Sequence, residues 1–231
     1  MFTSEDEATG AFTFAAEGSL DAGSGHYIGR LHHPTPESGV TIGAGYDMRH
    51  RASHEVESDL LAAGVGAEVA RGIAQGAGLS GQAADTFVAQ HAHDLAVHDI
   101  SALRRLFANI WPGYVARARA AFRFHAPTFA SDMPTYGATF VRATFFDWEY
   151  LYPAIRVIAI DFVYQGFGRM TTGYGRPLHF CMANDFDWLI DYIRQTPGLA
   201  QYEGGRGRAR YLEGHKAGQR AMFSVCAPTG R

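Results

Sequence analysis

Residues 38–47 read Ser-Gly-Val-Thr-Ile-Gly-Ala-Gly-Tyr-Asp, and this stretch decides the fold. Its residues 39–43 are a short strand candidate, and residues 27–33, Tyr-Ile-Gly-Arg-Leu-His-His, are another. The residues between them, 34–38, read Pro-Thr-Pro-Glu-Ser and have the composition of a turn. We therefore predict a β-hairpin formed by strands 27–33 and 39–43.

The pattern becomes helical after residue 50. Ser53 can cap a helix with an apolar stripe on one side, and Gly64 is expected to end it. Ser80 is expected to open a second helix that runs through Val97. The pair Trp111-Pro112 is expected to break the helical pattern that surrounds it.

The second half of the chain adds further helices. Residues 126–144 are rich in Pro, Thr and Ser and are predicted to form a loop. Residues 148–167 are the most apolar segment and are apolar on nearly all sides, which is typical of a helix buried at the centre of a helical lobe. The last two helices are predicted over 185–195 and 208–220. The sequence thus indicates a mainly α protein of the α+β class.

Composition excludes several classes of function. The chain has 231 residues, of which 47% are hydrophobic, and its formal net charge is −3. This charge gives no general attraction to nucleic acid or to anionic membranes. No run of 18 uncharged apolar residues occurs, so we expect no membrane span. The acidic start, residues 1–7, does not read as a secretory signal, so we expect synthesis in the cytoplasm.

The pair Glu17-Gly18, followed by Thr-Ile-Gly-Ala-Gly at 41–45, resembles the phage-type lysozymes, a family of muramidases. The resemblance is greatest to the lysozyme-like domains of bacteriocins and type VI secretion effectors. It implies a single domain over 1–231 in which two lobes flank a cleft. A small β-hairpin lobe would span about 10–50 and carry the catalytic glutamate, and a larger helical lobe would span about 51–231.

The same resemblance implies how the catalytic residues act. Glu17 would be the acid that protonates the leaving oxygen, and the Thr41 hydroxyl would help to hold the attacking water. Glycoside hydrolysis also needs a group on the opposite face of the sugar ring, which acts directly or through a water. The family usually has an aspartate six residues before the threonine, but Thr35 occupies that position here. The sequence therefore departs from the family pattern at this second group.

Glu37 is the first candidate for the second catalytic group, because it lies in the predicted turn near the position of the missing aspartate. Asp47 is expected to brace the hairpin against the helical lobe rather than to react, and Asp21 could cap a loop. If no carboxylate is in position, an inverting mechanism with a water held by Thr41 and backbone carbonyls stays open.

Three residues are candidates for substrate binding. Residues 159–166 are similar to the family's central helix, which delivers a glutamine to the cleft, here Gln165. Residues 207–213 are similar to an arginine-rich helix start that approaches the catalytic glutamate, here with Arg208 and its neighbours at 206 and 210. Tyr46, like the other aromatic candidates at 27 and 148, could stack on a pyranose ring, although core packing is the more common fate.

The histidines and cysteines support other chemistry only weakly. A group at positions 91, 93, 94 and 98 lacks metal-site spacing, so we expect neither a metal nor a cofactor. The pair His32-His33 could contact sugar or be an ordinary strand pair. Cys181 and Cys226 are expected to be buried free thiols. A Cys-His amidase using Cys181 with a histidine at 179 or 215 is the least favoured alternative.

The resemblance implies a peptidoglycan hydrolase that cleaves the β-1,4 bond between N-acetylmuramic acid and N-acetylglucosamine. Such a protein would act as an antibacterial effector or lysis enzyme, in the periplasm or cell wall after delivery. Its partner would be the peptidoglycan glycan strand, and an immunity protein or a component of a secretion apparatus could also bind it. The competing hypothesis is a glycan-binding module of the same fold that has lost its chemistry, which Thr35 in place of the aspartate favours.

Overall fold

The computed structural model describes residues 5–132, 147–167 and 176–224 of the chain. In these segments the helices are α1 Glu5–Thr9, α2 Ala11–Ala16, α3 Ser53–Ala62, α4 Ala67–Ala74, α5 Gly81–His91, α6 Ile100–Asp132, α7 Pro153–Tyr164, α8 Arg176–Met182, α9 Phe186–Gln195, α10 Pro197–Arg206 and α11 Arg208–Ser224. Strands β1 Thr41–Ile42 and β2 Tyr46–Asp47 form an antiparallel sheet, and a 3-10 turn covers Trp148–Tyr150. The predicted mainly helical α+β class is confirmed.

The chain divides into two compact units. One, the hairpin unit, is Glu17–Trp111; the other, the helical unit, combines Met1–Ala16 with Pro112–Arg231. The boundary predicted near residue 50 lies inside the hairpin unit, because helices α3 and α5 are bonded to the hairpin region. The Tyr46 hydroxyl donates to Asp59 of α3 at 2.6 Å, and a ring nitrogen of His33 lies 2.8 Å from Asp85 of α5. The single lysozyme-like domain stays a prediction.

The hairpin depends on two glycines. Thr41 pairs with Asp47 and Ile42 with Tyr46, and Gly43-Ala44-Gly45 forms the connection. Gly43 and Gly45 have φ angles of 64° and 79°, a region that residues with a Cβ atom rarely adopt. The motif Thr-Ile-Gly-x-Gly is thus a strand followed by its own tight turn, so β1 pairs with the residues that follow it.

The strand predicted over residues 27–33 is wrong. The Arg30 N–H donates to the Tyr27 carbonyl at 3.2 Å, which closes a turn over 27–30 instead. Two isolated bridges flank this turn, a parallel one between Ser19 and Tyr27 and an antiparallel one between His32 and Thr41. Gly29 lets the bent segment come close to the backbone of residue 97. A Cβ atom at this position would lie 2.2 Å from the Val97 carbonyl oxygen, so only glycine allows this close approach.

The break predicted at Trp111-Pro112 is also wrong, since α6 runs through it from Ile100 to Asp132. A proline inside a helix removes one N–H donor and crowds the preceding turn, at a cost of about 3 kcal/mol. Trp111 and Phe122 on this helix are 1% and 0% exposed, and burial of large side chains contributes roughly 1.5–3 kcal/mol each. Packing therefore offsets the local cost of the proline.

Several other helix limits agree with the sequence. Helix α3 ends before Gly64 as predicted, but its N-cap is Ala52, and Ser53, predicted as the cap, is its first residue. Helix α5 follows Ser80, although it ends at His91 rather than continuing to Val97. Helix α9 begins after Asp185, whose carboxylate accepts the Trp188 N–H, and α11 begins at Arg208 as predicted. The predicted loop over 126–144 is shortened by α6, and residues 133–144 lie outside the described segments, as does Cys226.

Helix α7 is the buried centre of the helical unit, as predicted, with every residue from Ala154 to Phe162 buried. Its Asp161 is 0% exposed and accepts hydrogen bonds from three other elements. The Thr13 hydroxyl of α2 donates to it at 2.9 Å, and Arg208 Nε of α11 donates at 2.8 Å. Arg206 of α10 donates through two nitrogens, Nε at 3.2 Å and Nη2 at 2.5 Å.

We expect Asp161→Asn to lower the free energy of unfolding by about 3–5 kcal/mol, because it leaves two arginines without their buried counter-charge. Asp187→Asn on α9 is the matched control. The Asp187 side chain is 59% exposed and pairs with Lys216, so its loss should cost at most about 1 kcal/mol. Urea unfolding monitored by circular dichroism measures both; equal effects of the two substitutions would contradict the role given to Asp161.

Candidate active site

Thr41 is held in the hairpin unit by bonds on both sides. Its strand β1 pairs with β2, and its N–H and carbonyl also exchange hydrogen bonds of 2.8 and 2.9 Å with the backbone of His32. The Thr41 side chain is buried, and its hydroxyl donates to the Gly39 carbonyl at 3.1 Å. The hydroxyl oxygen therefore keeps its lone pairs for a further donor.

Glu17 is positioned by the glycine that follows it. Gly18 has a φ angle of 58°, and a Cβ atom there would lie 2.6 Å from Cγ2 of Ile28 and 2.8 Å from the carbonyl oxygen of His26. The next residue, Ser19, bonds on both sides to this same segment, with its N–H to His26 and its carbonyl to Ile28. Glu17 is thus fixed beside residues 26–28, where only glycine allows the backbone to come this close.

Glu17 and Thr41 line one pocket of about 290 Å³. All residues that line this pocket belong to the hairpin unit, and they include Tyr27, Arg30 and His32. The two residues that the sequence analysis chose as a catalytic pair are therefore brought together. The side chains combine a carboxyl, a hydroxyl, an imidazole and an aromatic ring, a set that can transfer protons and bind a polar ligand.

His32 is a functional candidate for which the sequence left two readings open, contact with sugar or an ordinary strand pair. Its Nδ1 lies 3.1 Å from the carbonyl oxygen of Arg30. Burial lowers the pKa of His32 below its usual value, and the Arg30 carbonyl and the negative charge of Glu17 partly oppose this. The imidazole is therefore mainly neutral at neutral pH. The feature that marks His32 as a site residue is its backbone pairing with Thr41, and this pairing is known only when the strand register is known.

Comparison with known families gives one assignment. The profile of a family described as "Domain of unknown function (DUF8812)" matches residues 10–174, which is more than half of the chain. The chain belongs to this family. A comparison with curated proteins found no match. The matched residues include the whole hairpin unit, and therefore the whole pocket of this DUF8812 protein.

Two predicted site residues in the hairpin unit lie outside the pocket. The Glu37 side chain is exposed in the turn over 35–38, where its backbone carbonyl accepts a bond from Arg49. Tyr46 is 1% exposed in the core, so it cannot stack on a sugar in this structure. Burial and the bond to Asp59 raise the pKa of the Tyr46 phenol well above its usual value. The structure thus corrects the binding role of Tyr46 and gives no support to Glu37 as a catalytic group.

The other two predicted binding residues belong to the helical unit. Gln165 is half-buried at the C-terminal end of α7, and its contact with substrate stays a prediction. Arg208 is 0% exposed, and its guanidinium lies 4.9 Å from the centre of the Phe162 ring as well as bonding to Asp161. A side chain buried in this way has no surface for a sugar, so Arg208 is a structural residue here.

The remaining carboxylates of the hairpin region are structural. Asp47 accepts hydrogen bonds from the N–H groups of Gly39 and Arg49, at 3.0 and 2.8 Å, so it braces the hairpin internally, and the predicted bracing against the helical lobe stays a prediction. Asp21 accepts the N–H of Gly23 at 2.9 Å and caps its loop. Neither is among the residues that line the pocket.

Other chemistry finds little support. Burial raises the pKa of the Cys181 thiol far above its usual value, although Arg208 opposes the shift, so this thiol is a poor nucleophile. Within residues 5–132, 147–167 and 176–224, no group of three or more His, Cys, Asp or Glu side chains is arranged to hold a metal ion. In the same part of the chain, no helix combines the length and apolar character needed to cross a membrane.

We expect Gly18→Ala to destabilise the protein by about 2–5 kcal/mol. The left-handed backbone costs an alanine about 1–2 kcal/mol, and crowding against Ile28 and His26 adds about 1–3 kcal/mol. Gly25→Ala is the matched control, because a Cβ atom at Gly25 meets nothing within 4 Å. Urea unfolding should show a large loss for the first variant and almost none for the second; an unchanged Gly18→Ala would contradict the account of this turn.

Proposed function

We propose that this protein is a muramidase that hydrolyses the β-1,4 bond between N-acetylmuramic acid and N-acetylglucosamine in peptidoglycan. The observation that carries the proposal is that Glu17 and Thr41 line one pocket. The two residues are 24 positions apart in the sequence, and the resemblance to phage-type lysozymes implies a catalytic role for both. Their presence in one pocket supports the resemblance to phage-type lysozymes.

The roles follow from the two side chains. Glu17, as the protonated acid, gives its proton to the glycosidic oxygen so that the sugar can leave. The Thr41 hydroxyl already donates to the Gly39 carbonyl, so its oxygen accepts a proton of a bound water and orients that water. The rigid strand and turn around Thr41 fix this position before substrate binds, which lowers the entropic cost of reaching the transition state.

The biological setting of the proposal follows the resemblance. The protein would be an antibacterial effector or a lysis enzyme that is delivered to the periplasm or cell wall. Its partner would be the glycan strand, with an immunity protein or a secretion component as a further partner. The proposed reaction uses neither a metal nor a cofactor: a carboxylic acid protonates the leaving oxygen, and a water held on the opposite face attacks the anomeric carbon.

The test is the release of new reducing ends from purified peptidoglycan, with the fragments identified by mass spectrometry. We expect Glu17→Gln to lower kcat by about 100- to 10,000-fold, because the amide cannot donate a proton to the leaving oxygen. Glu37→Gln is the matched control and should retain wild-type activity, since Glu37 is exposed and does not line the pocket. A wild-type protein that releases no reducing ends would refute the proposal.

A non-catalytic glycan-binding module is the second candidate. Two observations favour it: Thr35 replaces the family's aspartate, and Glu17 is the one carboxylate among the described residues that line the pocket. The same assay separates the two functions when binding to peptidoglycan is measured by co-sedimentation. If the protein is a binding module, the wild-type and Glu17→Gln proteins should co-sediment with peptidoglycan to the same extent, and neither should cleave it.

A further inference from the structure

A backbone pair sets an imidazole next to the proposed water site. His32 and Thr41 exchange both of their backbone hydrogen bonds. In an antiparallel pair of this kind the two side chains leave the ladder on the same face, with Cβ atoms about 4.5–5.5 Å apart. Both residues line the pocket together with Glu17. The His32 ring therefore lies beside the hydroxyl that is proposed to orient the water.

The hydrogen bond of the ring fixes which nitrogen can react. Nδ1 faces the Arg30 carbonyl oxygen, and a carbonyl can only accept, so the neutral ring carries its proton on Nδ1. Nε2 then has a lone pair, and no hydrogen bond joins it to the part of the chain that the structure describes. The same carbonyl holds the ring orientation and stabilises the imidazolium that forms when Nε2 takes a proton.

We propose that His32 is the general base of the reaction, in place of the missing aspartate. This inference rests on the proposed muramidase function. Glu17 gives its proton to the glycosidic oxygen, and the bond from that oxygen to the anomeric carbon breaks with its electron pair on the oxygen. The water oxygen forms the new bond to the anomeric carbon, and Nε2 of His32 takes the proton that the water loses. Solvent then returns Glu17 to its acid form and removes the proton from His32.

The pocket composition sets the expected pH dependence. Among the described residues, the titratable or permanently charged side chains that line it are Glu17, His26, Tyr27, Arg30 and His32. The Arg30 guanidinium bonds to the Ala22 and Ser24 carbonyls of the adjacent loop. A histidine base must be neutral, so activity should fall at acid pH as the ring protonates, and the fall should disappear when the ring is removed.

The experiment compares His32→Asn with His33→Asn on soluble, uncrosslinked peptidoglycan strands. The asparagine amide can still donate to the Arg30 carbonyl, but it cannot act as a base. His33 is the matched control, because it is adjacent in sequence, is bonded to Asp85 and does not line the pocket. We expect His32→Asn to lower kcat about 100- to 10,000-fold with little change in KM, and His33→Asn to leave both unchanged. Thermal melting shows whether each variant is folded.

The acid limb of the pH profile and the anomer of the product complete the test. The acid limb should be lost in the residual activity of His32→Asn, and proton NMR of the wild-type reaction should show the inverted α-anomer first. Three outcomes with an active wild-type enzyme would overturn the role of His32 and leave the muramidase proposal standing. They are an unaffected kcat in His32→Asn, a change in KM alone, and a first product that is the β-anomer. If His32→Asn does not fold, restoration of His32→Ala activity by added imidazole supports the base, and its failure overturns it.

Discussion

The positive φ angles at Gly43 and Gly45 are the constraint on which the candidate site depends. They allow the chain to reverse immediately after Ile42, which fixes the pairing of β1 with β2. A shift of one residue in such a ladder would turn every side chain to the opposite face. The turn therefore decides that Thr41 faces the pocket, and through the backbone bridge it also decides the direction of His32.

In the helical unit, the orientation of α7 is specified by buried charge pairs and not by an apolar stripe on one face of the helix. Helix α7 is apolar on nearly all sides, so hydrophobic burial alone says little about its rotation. Arg156 and Asp161 lie on different sides of it and are 2% and 0% exposed. Arg156 bonds Glu7 of α1 at 2.8 Å, and Asp161 bonds Arg208 of α11. Because burying charge gives little net stability, we infer that these pairs specify the orientation of α7.

The sequence predicted those features that depend on local composition. The starts of α5 after Ser80 and of α11 at Arg208, and the buried character of α7, follow from residue type and spacing, and the structure agrees. The errors came where distant contacts outweigh local preference. Pro112 lies within α6 because large rings on that helix are buried, and residues 27–30 form a turn because Gly29 meets the Val97 carbonyl. Pairing across the chain cannot be read from either segment alone.

The candidate site shows the same division. Glu17 and Thr41 could be found from the motif, whereas Glu37 was chosen for its closeness in sequence to a missing aspartate. A residue in the turn over 35–38 is held mainly by bonds within that turn, through the Ser38 hydroxyl. His32 is held by two bonds to the strand that carries Thr41, so its distance from Thr41 is set by the ladder itself. Transition-state stabilisation requires such fixed geometry. A side chain that is less firmly held would lose conformational entropy in every catalytic cycle, and this loss would raise the barrier. A ladder residue is therefore the better source of the second group, even when its side chain is not a carboxylate.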